Sequence, residues 1–255
     1  MAIFHLSVKS ISRKQGRSIV AAAAYRSGQR LYDRYYGLTH DYTRKGGIVH
    51  SEILLPSYAN PDFFIRETLW NSVDMAENRK DSRTAREVEI ALLCELTLDE
   101  RVNLVRDFVL DSFVEQGMCA DFSIHDKGDG NPHAHVLLTT RPVSREGFIE
   151  RKNREWDKRE NVTIWREKWA SAQNREFERR GFEMRVSHES YALRGIDREP
   201  TRHLGHRVKF LERHGIQTDR GNENRAIEAR NEEREQRQRE RGKNRSRDRS
   251  LELSL

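Results

Sequence analysis

Short stretches in which apolar residues alternate with polar ones, or run together between turn residues, predict five strands in this chain. In residues 83–93, Val88 and Ile90 fall on one face of the predicted strand, and Glu87 and Glu89 fall on the other. The remaining strands are predicted at residues 2–8, 48–55, 120–124 and 136–140.

Segments with apolar residues at helical spacing separate these strands. Ser18 and Thr97 are predicted N-caps of two such helices. The first helix carries four consecutive alanines before Tyr25, and small residues let a helix lie close to a sheet. Residues 31–47 predict a loop or an irregular hairpin. Helices are predicted at residues 19–30, 62–78, 98–116, in a segment that ends near residue 180, and at 200–215. This order of elements predicts an α+β fold.

Three of the ten histidines lie in one predicted hairpin, at residues 125–141. His133 and His135 are two residues apart on a strand, so their side chains leave the same face. The Gly- and Pro-containing turn brings His125, at the end of the preceding strand, beside that pair. Three converging imidazoles with an open fourth side are typical of a catalytic divalent metal site. The alternative is a group of core or surface histidines without a metal, although such a group is hard to bury without a metal or an acidic partner.

Composition and charge narrow the class of partner. Hydrophobic and charged residues each make up 35% of the 255 residues, which fits a modest core with a highly charged remainder. The net charge of +6 favours a polyanion. The sequence has no signal-peptide pattern and no long apolar run, so a cytoplasmic protein without a membrane segment is expected. Cys94 and Cys119 are expected to be buried free thiols.

The character of the chain changes toward its end. A domain is predicted over residues 1–215, followed by a basic, charged extension over residues 216–255 that is either helical or disordered. Residues 222–249 form a helix-like run with almost no apolar stripe. This run is either a solvated segment or an arm that contacts DNA phosphates without reading the base sequence.

A tyrosine on a helix beside a metal site indicates covalent chemistry on phosphodiesters. A divalent cation polarises a phosphodiester oxygen, and attack by a tyrosine oxygen on phosphorus gives a covalent phosphotyrosine. Tyr25 is the first candidate because of its alanine-rich helix, although a helical tyrosine is usually part of a core. From the chemistry alone, Tyr32 and Tyr36 are rival nucleophiles.

Several segments of the chain carry motifs that occur together in one family. Residues 131–141, Asn-Pro-His-Ala-His-Val-Leu-Leu-Thr-Thr-Arg, are similar to the histidine–hydrophobe–histidine signature of HUH endonucleases. The other segments are residues 2–6, 17–31 together with Asp33, 86–92, and 199–205. Together they resemble MobA/MobL-family relaxases, in the family's order, over residues 1–215.

The resemblance implies an HUH-type palm, in which helices flank a central antiparallel five-stranded sheet. It implies site- and strand-specific nicking of a plasmid transfer origin through a 5′-phosphotyrosine, followed by strand rejoining. The nucleophile then falls on Tyr25 and the metal ligands on His125, His133 and His135. Mn²⁺ or Mg²⁺ is the expected ion, with Zn²⁺, Co²⁺ or Ni²⁺ as alternatives. The implied partners are single-stranded transfer-origin DNA, accessory proteins of the relaxosome and the coupling protein of a type IV secretion system.

Charged residues around these positions have predicted supporting roles. Glu87 is preferred to Glu89 as the group that takes the tyrosine proton or orients a metal-binding imidazole. The alternative is an exposed strand face on which both carboxylates form ion pairs. Arg26 and Arg141 are predicted phosphate contacts.

Two other polar residues each have two interpretations. His5 either supports a metal-binding group or belongs to the core, and the core is the preferred interpretation. Asp126 either orients an imidazole or stabilises the turn that follows His125.

Three other functions are weighed against the nickase. A rolling-circle replication initiator uses the same chemistry but usually places its tyrosine after the histidines, whereas Tyr25 precedes them. A metal-dependent DNA hydrolase would use water and leave Tyr25 structural. A DNA-binding accessory protein would have a degenerate site, which the tyrosine and all three histidines argue against. No P-loop is present in the sequence, so the chain is expected to be a minimal relaxase or part of a longer protein, and another protein would unwind the DNA.

Overall fold

The structure, a computed structural model, describes residues 4–149, 151–202 and 204–252, with the backbone alone described for residues 206 and 241–252. The chain divides into two compact units after His188. The predicted end of the first domain at residue 215 stays a prediction. Among the described residues, no helix has the length and apolar character that a membrane crossing requires.

Strands and helices alternate along the first unit, and the second unit is helical. The strands are β1 Leu6–Ser12, β2 Arg30–Asp33, β3 Leu38–Asp41, β4 Ile48–Leu54, β5 Arg83–Ala91, β6 Ala120–His125, β7 His133–Thr139, β8 Val143–Ser144 and β9 Gly147–Phe148. The α-helices are α1 Ile19–Ser27, α2 Arg66–Met75, α3 Leu98–Val109, α4 Arg159–Arg179, α5 Gly205–Arg213 and α6 Asp219–Glu252.

A five-stranded antiparallel sheet forms the centre of the first unit, which confirms the predicted α+β class. Its strands lie in the order β1–β5–β7–β6–β4, and each neighbouring pair is antiparallel. The histidine-bearing hairpin, β6 and β7, therefore lies inside the sheet, between β5 and β4. The remaining strands form two small antiparallel pairs, β2 with β3 and β8 with β9.

The two faces of this sheet differ because alternate residues of each strand point to opposite sides. One face packs on α3 and α4 in a large apolar core. Its members from the three inner strands are Val88, Ile90, Ala120, Phe122, Ile124, Ala134, Val136 and Leu138. The opposite face packs on α1 and α2. Polar residues are interspersed on it, among them Glu87, Glu89, Asp121, Ser123, His125, His133 and His135.

Local sequence fixes the ends of α1. Ser18 caps its start, as predicted, because the Ser18 side chain accepts a hydrogen bond from the backbone N of Ala21 at 3.0 Å. Gly28 ends the helix with a positive φ of 67°. A Cβ atom there would lie 2.6 Å from Cδ1 of Ile48, so glycine is favoured by both conformation and space. The last turn of α1, with Tyr25, is thereby held against β4.

Some predicted elements have different boundaries in the structure. β1 begins at Leu6 rather than at residue 2, and residues 2 and 3 lie outside the described residues. It continues to Ser12 because pairing with β5 runs from Leu6 opposite Ile90 to Ser12 opposite Arg83, and this pairing overrides the polar local sequence. For residues 31–47, a loop and an irregular hairpin were the two predicted alternatives. The structure has a hairpin there, formed by β2 and β3, and β2 begins one residue earlier, at Arg30.

Two of the long predicted helices change type along their length. The segment predicted at 62–78 starts as a 3₁₀ turn, Pro61–Phe64, before α2 begins at Arg66. The segment predicted at 98–116 is α3, whose Thr97 cap is confirmed, followed by a π-helical turn over Leu110–Val114.

The helix predicted from residue 200 begins at Gly205 instead. Two backbone N–H groups that precede it donate to α6 side chains, from Glu199 to Asn231 and from Arg202 to Asn224, both at 2.8 Å. Residue 203 lies outside the described residues. These side-chain acceptors stabilise a non-helical segment that propensity alone does not reveal.

The cysteine prediction is half wrong. Cys119 is buried and Cys94 is exposed, and both are free thiols. Cys94 lies beyond the end of β5, in the connection to α3, where the alternating burial of the strand no longer applies.

Candidate metal centre and nucleophile

The three predicted histidines converge on the face of the sheet that packs on α1 and α2. His125, the last residue of β6, pairs directly with His133, the first residue of β7. The ring centroids of the three imidazoles are 4.8 to 5.4 Å apart. One ring nitrogen from each imidazole lies within 4.8 Å of the others. Three nitrogen ligands are thus available on one side of a common point, as a catalytic metal site requires.

Each imidazole also contacts an oxygen that orients it. The contacts are His135 Nδ1 to Glu87 Oε1 at 2.8 Å, His125 Nε2 to the Arg26 carbonyl oxygen at 2.7 Å, and His133 Nδ1 to the Asn131 carbonyl oxygen at 2.9 Å. Carbonyl and carboxylate oxygens only accept hydrogen bonds here, so each of these nitrogens donates its proton. The second nitrogen of each ring then keeps a lone pair for a metal ion. The donor set fits a divalent cation.

The charges of the site suit that role. Burial lowers the pKa of His125 to about 4, so its imidazole is neutral near pH 7 and able to bind a metal. Burial would by itself raise the pKa of Glu87, but hydrogen bonds from His135 and Arg26 outweigh it and lower that pKa to about 2. Glu87 is therefore an anion that supports the histidine cluster.

Glu87 has a different environment from Glu89. Arg26 binds both carboxylate oxygens of Glu87 through Nε and Nη2, each at 2.6 Å, and Glu87 is only 3% exposed. Glu89 forms a partly exposed ion pair with Lys9 at 2.7 Å. The exposed-face alternative thus describes Glu89, whereas Glu87 orients an imidazole. Because its guanidinium group binds Glu87, Arg26 is part of the support of the site, and its phosphate contact stays a prediction.

Tyr25 is not a core residue. It lies on the last turn of α1 and is 47% exposed. The next residue, Arg26, contacts His125 through its carbonyl oxygen and Glu87 through its side chain, which places the backbone of Tyr25 beside the histidine cluster. The Lys45 ammonium lies 3.6 Å from the centroid of the Tyr25 ring. Sequence reasoning missed Lys45, because no local pattern connects it to Tyr25.

The rival tyrosines have other neighbours. Tyr32 is on β2, and its backbone N donates to Glu67 of α2 at 2.8 Å. Tyr36 stacks edge-on against Tyr35, and burial followed by the nearby Asp74 carboxylate raises its pKa. A raised pKa makes a phenol harder to ionise and thus a poorer nucleophile.

Three further predicted residues lie in positions that change their interpretation. Arg141 follows the end of β7 opposite to His133, and its Nε donates to Glu77 at 2.9 Å, so it is not brought to the histidines. The Asp126 carboxylate accepts from Gly128 N and Arg101 Nη1 and therefore stabilises the turn, the second of its two interpretations. His5 is exposed, so the preferred core interpretation is wrong.

These observations define a protein with an antiparallel palm-like sheet, three converging histidines that could hold a metal ion, and an adjacent exposed tyrosine. The sequence profile of the MobA/MobL family matches residues 17–214, most of the described chain. The chain belongs to the MobA/MobL family.

Similar proteins from other bacteria support this assignment. The chain is 38% identical over 246 residues to mobilization protein MobL of Acidithiobacillus ferridurans, covering 84% of this chain and 64% of MobL. It is 35% identical over 266 residues to conjugal transfer protein TraA of Agrobacterium fabrum, covering 92% of this chain and 24% of TraA. It thus spans only part of the length of these relatives.

A similar fold has also been solved. A structure described as the molecular basis of vancomycin resistance transfer in Staphylococcus aureus matches with a TM-score of 0.70 and 37% identity. The match covers 74% of this chain and 100% of that chain. The antiparallel palm described above is therefore shared with a solved relative.

Proposed function

We propose that this chain is a relaxase that nicks one strand of transfer-origin DNA, with Tyr25 as the nucleophile. The observation that carries the proposal is the position of Arg26. Its carbonyl oxygen binds His125, and its side chain binds the Glu87 carboxylate that orients His135. The residue next to Tyr25 is thus bonded to two parts of the histidine cluster. The relatives named for mobilization and conjugal transfer support the same function.

His125, His133 and His135 would hold a divalent ion, which in function we propose to be Mn²⁺ or Mg²⁺. Imidazole nitrogens suit Mn²⁺, Zn²⁺, Co²⁺ and Ni²⁺ better than Mg²⁺ by ligand type. When bound, such an ion polarises a phosphodiester oxygen and neutralises charge that develops in the reaction. The neutral His125 and the anionic Glu87 prepare the protein side of that site.

The covalent step follows from the exposed phenol. Tyr25 loses its proton to solvent and its oxygen attacks the phosphorus, while the bond from phosphorus to the 3′ oxygen breaks. The products are a 5′-phosphotyrosine and a 3′-hydroxyl group, which takes up a proton. The phosphotyrosine conserves the energy of the phosphodiester, so the strand can be rejoined without a nucleotide cofactor. Glu87 has a pKa of about 2 and accepts bonds from Arg26 and His135. Its role is therefore to orient His135 rather than to remove the proton of Tyr25.

Substitution of Tyr25 by Phe, beside the matched control Tyr32→Phe, tests the nucleophile. Each protein would be incubated with Mn²⁺ and supercoiled plasmid that carries its transfer origin, and digested peptides would be searched for a linked nucleotide. We expect the parent and Tyr32→Phe to form an adduct on the Tyr25 peptide and Tyr25→Phe to form none while still binding DNA. An adduct that persists in Tyr25→Phe would refute the assignment. Free 5′-phosphate ends without any adduct would identify a hydrolase instead.

Substitution of His133 by Ala tests the metal centre. We expect this change to lower Mn²⁺ affinity, measured by calorimetry, and to abolish nicking, because one of three ligands is lost. His50→Ala, a histidine on β4 that bonds to Glu52, is the matched control and should leave Mn²⁺ affinity unchanged. Equal Mn²⁺ affinity in His133→Ala and the parent would rule out this centre.

The proposed partners are single-stranded transfer-origin DNA, relaxosome accessory proteins and the coupling protein of a type IV secretion system.

The α6 helix is proposed to contact DNA phosphates. Deletion of residues 236–255 keeps the pairs that Glu199 forms with Arg230 and Arg234, and it should flatten the salt dependence of DNA binding. An unchanged slope would exclude this role for the deleted part of α6.

A further inference from the structure

The connection between β3 and β4 covers the ring of Tyr25 with two side chains. Tyr42 contacts the ring edge-on, with ring centroids 5.2 Å apart and an interplanar angle of 89°. Lys45 Nζ lies over the face of the ring, 3.6 Å from its centroid. The same ammonium group donates to the Tyr25 carbonyl oxygen at 2.7 Å. The phenol is therefore exposed but held from two directions.

Backbone hydrogen bonds fix this connection on both sides. Tyr42 N donates to the Gln29 carbonyl at 3.2 Å, just beyond α1, and Lys45 N donates to the Tyr42 carbonyl at 2.9 Å. The Gly47 carbonyl accepts from Asp126 N at 2.8 Å, at the residue that follows His125 on the chain. The connection thus joins the end of the tyrosine helix to the histidine hairpin, and Lys45 is held between them.

We propose that Lys45 is a positioning residue for Tyr25. Its ammonium group holds the phenol ring and stabilises the negative charge that the ring carries after it has lost its proton and before the oxygen bonds to phosphorus. This inference rests on the proposed role of Tyr25 as the nucleophile. A cation over an aromatic face is attracted by the electrons of the ring, and a phenolate ring is richer in electrons than a phenol ring. The contact therefore favours the ionised form.

The charges around Lys45 make its ammonium group responsive to DNA. Burial, followed by the nearby Arg26 and Lys127 cations, lowers the pKa of Lys45 to about 8. Lys45 in turn contributes to the lowered pKa of His125. Since the Arg26 and Lys127 cations oppose the charge of Lys45, an anionic phosphodiester in this place would stabilise the charged ammonium. The site is thus most complementary to a phosphate group next to the tyrosine.

Lys45→Met and Lys45→Arg separate charge from shape, with Lys127→Met as a control that removes a neighbouring cation. Single-turnover nicking of a transfer-origin oligonucleotide, with Mn²⁺ and saturating protein, would be measured on both sides of pH 8. The dissociation constant for DNA would be measured in parallel. We expect Lys45→Met to be about tenfold slower, with DNA affinity within about twofold of the parent. Lys45→Arg should recover most of the rate and keep it at alkaline pH, where the lysine ammonium loses its proton and the guanidinium group does not.

Three results would overturn the inference. These are a parental rate in Lys45→Met, an effect confined to DNA affinity, or a rate in Lys45→Arg as low as that of Lys45→Met at every pH. Thermal melting of each variant would verify folding, and Lys127→Met should keep the parental single-turnover rate below pH 8, where Lys45 is charged whether or not the Lys127 cation is present. Peptide mapping separates this inference from the function on which it rests. If the parent forms no adduct on Tyr25, the proposed function fails, whereas a Tyr25 adduct at full rate in Lys45→Met contradicts only the role of Lys45.

Discussion

The two faces of the central sheet are built from the same three inner strands, yet they have different compositions. The face toward α3 and α4 is largely apolar on these strands, and its residues Val88, Ile90, Phe122, Ile124, Val136 and Leu138 are all 0% exposed. Arg86 of β5 is a buried exception that pairs with Asp157 and lies over the Trp165 ring. The face toward α1 and α2 carries three histidines and three carboxylates between apolar residues, and of these carboxylates Glu87 and Asp121 are buried whereas Glu89 is partly exposed. Because successive residues of a strand point to opposite faces, alternate residues of each strand contribute to the large apolar core and to the face with the histidine cluster.

The polar face remains stable because an arginine from a helix binds each of its buried carboxylates. Arg66 of α2 binds both oxygens of Asp121, at 2.8 and 2.9 Å, and Trp70 donates to the same carboxylate at 2.7 Å. Arg26 of α1 binds Glu87 in the same bidentate way. The Asp121 carboxylate is bound by two side chains of α2, whereas Glu87 is bound by Arg26 and also by the imidazole of His135. The comparison separates a pair within the helix–sheet packing, Arg66 with Asp121, from a pair that also orients a member of the histidine cluster, Arg26 with Glu87.

The largest expected effect is on the apolar face. Phe122→Ala should lower the free energy of unfolding by about 3–5 kcal/mol, because a fully buried aromatic side chain is replaced by a cavity. Urea denaturation would measure this loss. Calorimetry on the folded variant should give the parental Mn²⁺ affinity, and a tenfold weaker affinity would show that the two faces are not separable.

The strands and the histidine cluster could be predicted from sequence because their signals are local. The alternation of residues predicted that Val88 and Ile90 lie on one face of β5 and Glu87 on the other. The length of the hairpin predicted that His125 lies beside His133 and His135. Glu87 was also predicted beside an imidazole, but its pairing with Arg26, which was predicted to contact phosphate, could not be predicted in this way. Arg26 and Glu87 are 61 positions apart in sequence, and only packing of α1 on the sheet joins them.

The errors have the same origin. The exposed position of Cys94 and the late start of α5 both depend on tertiary surroundings rather than on local composition. Lys45 lies in a polar connection whose sequence resembles any solvated loop, and its contact with Tyr25 requires the fold. Periodicity therefore defines the elements, while the contacts between elements decide which polar residues act together.

Asp121→Asn probes the hydrogen-bond network of Asp121, Arg66 and Trp70, and it should have the next largest effect. The change removes the charge that binds Arg66, and we expect a loss of about 2–3 kcal/mol in the free energy of unfolding. Chemical denaturation measures it, and Mn²⁺ binding by the folded protein should be unchanged. Weaker Mn²⁺ binding equal to that of a histidine variant would show that this network extends to the metal centre.

Glu87→Gln probes the network that reaches the histidines. The amide keeps the size of the side chain but loses the charge that orients His135 and binds Arg26, so Mn²⁺ affinity should fall by about 10- to 100-fold. Titration calorimetry against the parent measures it, and Glu89→Gln is the matched control because Glu89 pairs with Lys9. Equal losses in both variants would contradict a specific role for Glu87.

Ser123→Ala should have the smallest effect and tests whether position on the polar face is sufficient for a role in the metal centre. Ser123 lies between Asp121 and His125 on β6, is 2% exposed and contacts Ser51 Oγ at 3.1 Å. Ser51 also accepts from Arg66 at 2.7 Å, so the change leaves it with a partner. We expect a loss of about 1 kcal/mol in unfolding free energy and no change in Mn²⁺ affinity or nicking. If nicking were lost although the protein stayed folded, Ser123 would belong with the functional residues of this face rather than with the structural network of Asp121.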